Sequence, residues 1–224
     1  MGKTYMSYLP QIIGLCAQRG IGKSRLAKEL VERYGYVEYA FAQPLKEACK
    51  VIWNFDDDQL YGQERKEIID GRWGISPRHA MQFVGEIFRN QYPTWCESNG
   101  LNIRMPFGDS NGFWLNHFQE FIRSHPENTK IVVSDVRYPN EGLIIRQFGG
   151  DIVRIIGHQR DDMGNVLIPM NETSSVWNHE SETSVNLIPY SHKINNNGTV
   201  DDMVNALITV YAPRSPPSHP HLDR

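Results

Sequence analysis

The chain has 224 residues, 40% of them hydrophobic and 22% charged, with a net charge of −3. That is enough for one sizeable domain with insertions, in an ordinary globular composition. The charge balance excludes a whole-chain nucleic-acid footprint, and no apolar run approaches the roughly 20 residues of a membrane span. Cys16, Cys49 and Cys96 are odd in number and lack paired metal spacing, so they are expected as buried thiols in a reducing compartment. The N-terminal Met-Gly-Lys-Thr-Tyr-Met-Ser has no secretory apolar core, and Met6 breaks the myristoylation pattern. A cytoplasmic protein is expected, or host-cytoplasmic if virus-encoded.

Residues 11 to 24, Gln-Ile-Ile-Gly-Leu-Cys-Ala-Gln-Arg-Gly-Ile-Gly-Lys-Ser, read as a strand, a glycine-rich turn and the start of a helix. This is the context a P-loop needs. Such a loop aims backbone N–H groups at phosphate oxygens at a helix N-terminus. Ala17, Arg19, Gly20, Ile21, Gly22, Lys23 and Ser24 would cradle the nucleotide. Lys23 would neutralise the β- and γ-phosphates, and Ser24 would place its hydroxyl on Mg²⁺. The usual pattern opens on glycine, where this chain has Ala17.

The helix after the loop is expected from about Lys23 to Tyr34, with Leu26, Ala27, Leu30, Val31 and Tyr34 on one face and Gly35 as its stop. Tyr36 to Phe41 reads as a second strand. Pro44 opens a helix whose apolar stripe is Leu45, Ala48, Cys49, Ile52 and Trp53. Lys46 sits in its first turn, off the stripe. There it is either a solvated lysine or the partner of a bound phosphate that offsets the unfavourable helix dipole.

Residues 55 to 76 read as polar and irregular, with Asp56–Asp58 as a solvated helix end. Arg72 could reach a ligand or stack on Trp73. Ser76-Pro77 reads as the cap and first residue of a third helix. Its apolar face is Ala80, Phe83, Val84, Ile87 and Phe88; a second stripe is Arg78, Gln82, Gly85 and Arg89. That stripe is either an exposed face or one turned to a polar ligand. Arginine's planar fork suits phosphate, and glutamine can pair with a base edge.

Pro93 to Gly112 reads as loop-rich, and a helix face follows with His117 inside its apolar stripe, a core or boundary histidine. Lys130 to Asp135 reads as a buried strand ending in a carboxylate, with Arg137 two residues on. In open α/β sheets ligands sit at the carboxyl ends of strands. Asp135 and Arg137 therefore either serve a Mg²⁺-nucleotide and an acceptor phosphate, or pair structurally. Asn140-Glu141 begin the next helix, Asp151 to Gly157 is a strand, His192 to Asn195 a last strand, and Val200 to Tyr211 a terminal helix. Residues 158 to 192 are polar, with Arg160, His179, Glu180 and Glu182; the H-E-x-E spacing is too weak for a metal site. The proline-rich tail, about 213–224, is expected to be disordered.

With these residues in place, the chain resembles the deoxynucleoside monophosphate kinases of tailed phages, a branch of the P-loop kinases. The resemblance covers about residues 11 to 210. It is carried by Gly22-Lys23-Ser24, Ala42-Gln43-Pro44-Leu45-Lys46, Ser76-Pro77-Arg78 with Met81-Gln82, Gly85, Asp135-Val136-Arg137, Asn140-Glu141 and Asn197-Gly198-Thr199. It implies an α/β, three-layer fold: a parallel sheet flanked by helices, in one domain over 8–212. An acceptor-binding insertion would span about 43–112 and a lid-like segment about 158–192.

The activity it implies is transfer of the ATP γ-phosphoryl to a deoxynucleoside monophosphate, with Mg²⁺ as cofactor. Small nucleotides are the partners, with no nucleic-acid polymer and no membrane; a homodimer stays open. Lys46, Arg72, Arg78, Gln82, Asp135, Arg137 and Glu141 would form the acceptor site. Lys23, Arg72, Arg78 and Arg137 would carry the catalytic charge, Ser24 and Asp135 the metal, and Arg160 would join the nucleotide from the lid. Asp135 orients either Mg²⁺ water or the acceptor sugar. Glu86 replaces the family's threonine, so base preference does not carry over. A kinase for another metabolite and a non-catalytic nucleotide-dependent binding module remain as alternatives.

Overall fold

The computed structural model describes residues 8–62, 64–102, 112–158 and 183–213. Arg160, His179, Glu180 and Glu182 of the expected lid, and the tail from residue 214, lie outside the described residues.

Five parallel strands, β1 Ile12–Cys16, β2 Val37–Tyr39, β3 Ile131–Val136, β4 Asp151–Gly157 and β5 His192–Asn196, lie in the order β2-β3-β1-β4-β5. The central strand β1 is buried along its whole length. Because side chains alternate across a strand, it feeds two cores. Ile13 and Leu15 pack with Leu26 and Leu30 of α1 (Lys23–Tyr34) and with Met203 and Leu207 of α8 (Val200–Tyr211). Ile12 and Cys16 point the other way. Their layer holds Cys49 of α2 (Gln43–Trp53), Ala80 and Val84 of α4 (Pro77–Glu86), Phe118 of α6 (Phe113–Arg123) and Ile144 of α7 (Pro139–Gln147). The result is a three-layer α/β fold with helices on both faces. All three cysteines are buried, free thiols.

Helix α1 runs over the expected residues and stops at Gly35, which takes a left-handed φ of 69°. Helix α2 departs from its expected stripe at the end: Cys49 is fully buried but Ile52 is 56% exposed, while Trp53 beside it packs against the same layer as Cys49. In the stretch expected to be irregular, Asp56 and Gln59 form a reciprocal capping box that nucleates a short helix, α3 (Asp57–Tyr61). A π-helical turn, Ile87–Gln91, leads from α4 directly into α5 (Tyr92–Ser98), where a loop was expected. Pro93, which has no N–H to donate, falls just after the junction, where the Tyr92 N–H still bonds back to the Ile87 carbonyl.

The rotation of α4 decides where its two stripes go. Phe83, expected in the core, is 53% exposed. Arg78, Gln82 and Arg89 are half-buried and Gly85 is buried, so the polar stripe faces the protein rather than solvent. Gly85 permits this, since a Cβ there would come within 3.0 Å of Leu45 Cδ1 on α2. The Trp114 indole donates to the Gly85 carbonyl at 3.2 Å and fixes the helix from the other side.

Among the described residues, no helix is long and apolar enough to cross a membrane.

Candidate active site

The loop between β1 and α1 turns on Gly20 and Gly22, at φ 77° and 96°. A side chain at Gly22 would be strained by that φ and would meet the Asn196 amide 2.6 Å away. Asn196, at the end of β5, is buried and donates to the Ile21 carbonyl at 2.8 Å. It anchors the loop across the sheet. Lys23 is only 8% exposed, and its ammonium donates to the carbonyls of Ala17 and, at 3.1 Å, Gln18. The cation is thus held inside the loop's curve by weak neutral acceptors. Ser24, in the first turn of α1, is exposed.

Strand β3 lies beside β1, which brings Asp135 to the same end of the sheet. Its carboxylate accepts from the backbone N–H groups of Phe41 and Ala42 at 2.7 and 2.9 Å. Asp135 therefore docks the chain entering α2 onto β3. Each oxygen takes one N–H and keeps a second lone pair for a ligand or a metal-bound water.

A group of cations gathers over this floor. Lys46 is largely desolvated, and burial pushes its ammonium below the ordinary value, with Asp135 opposing and Arg137 assisting. Its Nζ lies 4.3 Å from the centre of the Tyr61 ring. Arg78 closes its fork on Glu67, with Nε at 2.6 and 2.7 Å from the two carboxylate oxygens. Arg19 of the loop reaches the same carboxylate at 3.3 Å. One acid thus ties the phosphate loop to the first turn of α4. Burial alone would raise the Glu67 carboxyl; the two guanidinium groups override it and hold it below its usual value. Gln82, half-buried on the same helix face, makes no hydrogen bond among the described residues and keeps its amide available.

Arg72 stands apart. Its fork is closed on Asp70 at 2.9 and 2.7 Å, and it donates to the Asn54 carbonyl at 3.3 Å. This local clasp holds the Asp70 carboxyl well below the usual carboxylate range, with Gln59 assisting. None of these contacts joins Arg72 to Lys46 or Arg78. Trp73, its expected stacking partner, instead donates to the Trp53 carbonyl at 2.7 Å.

Glu141 is 5% exposed and accepts the N–H groups of Arg137 and Tyr138 at 2.7 and 3.1 Å, which fixes the turn from β3 into α7. Arg89 lies 4.3 Å over the Tyr138 ring. The Tyr39 hydroxyl, buried near Asp135 and Glu141, has no hydrogen-bond partner among the described residues. Burial, with Asp135 nearby, pushes the Glu141 carboxyl from 4.5 up to about 8. The folded protein therefore keeps a proton that the unfolded chain releases. Unfolding free energy should fall as pH rises from about 4.5 towards 8, by at most about 1.4 kcal/mol per pH unit for one proton. Urea unfolding across that range should show Glu141→Gln lacking this component; identical slopes would contradict the assignment.

His117 is exposed, where a core or boundary histidine was expected; it leans on Phe113 and Trp114, and their partial cover disfavours its imidazolium form. A cavity of about 520 Å³ opens between the start of α2 and α6, lined by Glu38, Tyr39, Gln43, His117, Glu120 and Phe121. None of the site residues expected from sequence lines it. Among the described residues no three His, Cys, Asp or Glu side chains form a metal cage. That is compatible with Mg²⁺ held by one or two protein groups plus phosphates and water.

A left-handed glycine loop over a buried lysine, leading from the central strand of this parallel sheet into a helix, defines a P-loop kinase. The comparisons carry this further. A curated relative from Acanthamoeba polyphaga mimivirus, named "Putative deoxynucleotide monophosphate kinase", is 33% identical over 204 residues, covering 88% of this chain and 94% of the relative. The chain belongs to the deoxynucleotide monophosphate kinase family. No protein-family model matches it. Among solved structures, a gluconokinase from Sinorhizobium meliloti 1021 is 12% identical, with a TM-score of 0.43 over 90% of this chain and 91% of that one. A dephospho-CoA kinase from Campylobacter jejuni is 12% identical, with a TM-score of 0.42 over 89% and 94%.

Sequence reasoning missed two residues here. Asn196 adjoined a quoted motif, but its contact joins the two ends of the domain. Glu67 lay in the stretch read as irregular, with only its charge as a signal.

Proposed function

We propose that this chain transfers the γ-phosphoryl group of ATP to the α-phosphate of a deoxynucleoside monophosphate, giving the diphosphate. Family membership supports a kinase over the non-catalytic module. The observation that carries the two-phosphate reading is the single carboxylate of Glu67, which joins Arg19 of the phosphate loop to Arg78 of α4. Cations meant for two phosphates thus sit at one place.

The residues present suit Mg·ATP. The left-handed turns at Gly20 and Gly22 put no Cβ where phosphates would approach, and Lys23 would exchange the Ala17 and Gln18 carbonyls for phosphate oxygens. Ser24 and Asp135 would hold Mg²⁺, which when bound supplies charge neutralisation at the β- and γ-oxygens. Asp135 has a second possible partner in the acceptor sugar. Lys46, Arg78 and Arg137 would hold the acceptor phosphate in line, and Gln82 would read the base. Arg72 serves the acceptor only if its Asp70 clasp opens. No general base is required, since the attacking oxygen is already anionic. We read residues 8–212 as one domain, with the acceptor insertion over about 43–112 and the lid over about 158–192, Arg160 included.

A dinucleoside pentaphosphate joining adenosine to a deoxynucleoside would span both subsites. It should bind at least about 100-fold more tightly than ATP or the monophosphate alone. Calorimetry showing binding no tighter than ATP would mean the two phosphates are not held side by side.

A further inference from the structure

The loop between α3 and α4 carries a cation that the reading above does not use. Lys66 is half-buried, and its ammonium makes no hydrogen bond or ion pair among the described residues. Three other cations, from three different elements, lie near enough to disfavour its charge: Lys46 from α2, Arg78 from α4 and Arg19 from the phosphate loop. The backbone ties the loop in place, since the Arg78 N–H donates to the Lys66 carbonyl at 3.0 Å. Glu67 is the carboxylate within this group, and both of its oxygens are engaged by the arginines. Four cations partly withdrawn from water repel one another, offset by Glu67 and, on the Lys46 side, by Asp135 and Glu38. A ligand bearing two negative charges would reverse the balance.

Resting on the reading that this is a nucleotide kinase, we propose that Lys66 is a further phosphate-binding residue of the acceptor site, taking an oxygen of the incoming phosphate monoester between Lys46 and Arg78. Glu67 then serves as the stand-in anion that keeps Arg19 and Arg78 together until the phosphate enters. Burial and the surrounding positive charge push the Lys66 ammonium down to about 8, the direction such a cluster requires. A dianion beside it raises that value again, so acceptor binding above pH 8 should take up protons.

The test combines Lys66→Met with a measurement on the unaltered protein. In the variant, the KM for whichever of dAMP, dCMP, dGMP and dTMP the parent accepts should rise about 10- to 100-fold, for a lost charge-assisted contact. The KM for ATP should stay near the parent value. The melting temperature without ligand should hold or rise, because a repulsive charge is gone; a merely structural lysine would lower it. An unchanged acceptor KM, or an equal rise in the ATP KM, would overturn the proposal. In the parent, calorimetry of acceptor binding above pH 8 in buffers of different ionisation enthalpy should show proton uptake, and its absence would overturn the proposal even if the variant fails to fold. Should the parent phosphorylate none of the four nucleotides, the kinase assignment falls separately. Inorganic phosphate then decides Lys66: weaker binding by Lys66→Met keeps the anion site, and equal binding removes it.

Discussion

Replacing Lys23 with alanine should lower kcat by about a thousandfold, the scale seen when one preorganised transition-state donor is removed. The ammonium is buried inside the loop's curve, and its partners there are neutral carbonyls that a triphosphate readily replaces. Charge on the γ-phosphoryl oxygens is redistributed in the transition state, and a fixed cation in a dry site stabilises it more than a mobile solvent ion. The fold should survive. The core beneath the loop is built by Ile13, Leu15, Leu26 and Leu30, and Asn196 still anchors the loop through Ile21. Steady-state kinetics beside a thermal melt check both halves. Near-normal turnover in a folded variant would remove the P-loop assignment.

Arg78→Ala should damage acceptor use instead, raising the acceptor KM about 100-fold while leaving the ATP KM near its starting value. The guanidinium is placed by three devices. Ser76 caps α4 and Pro77 begins it, Gly85 lets the helix lie close to α2, and Glu67 orients the fork. In this state Glu67 occupies the edge of Arg78 that a phosphate would use. Binding must displace that carboxylate or share the remaining N–H groups. Removing Arg78 leaves Glu67 paired to Arg19, so the phosphate loop keeps a partner. A rise confined to the ATP KM would place this helix face on the donor side.

What could be read from the sequence was local. The P-loop is one turn between a strand and a helix, and α1 was bounded by Lys23 and Gly35 because loop and stop signal lie on the same stretch of chain. The apolar strands were visible as runs, and the polar stripe of α4 as a period. The contacts that assemble the site were not local. Asp135 docks Phe41 and Ala42 across 94 and 93 residues, Asn196 reaches Ile21 across 175, and Glu67 meets Arg19 across 48. No periodicity encodes such pairs. Helix rotation was equally hidden: Phe83 and Ile52 fit their apolar stripes, but both are exposed while Ala80, Val84 and Cys49 on the same helices are buried. Arg72 shows the converse, an arginine placed in the site by its type that the fold closes on Asp70 two residues away.

The most direct measurement is formation of ADP and deoxynucleoside diphosphate from Mg·ATP and each deoxy- and ribonucleoside monophosphate in turn. Turnover is expected with at least one deoxynucleoside monophosphate, with diphosphate and ADP formed in equal amounts and both lost in Lys23→Ala. ATP bound by the protein, with no diphosphate from any nucleotide in the panel, would contradict that expectation.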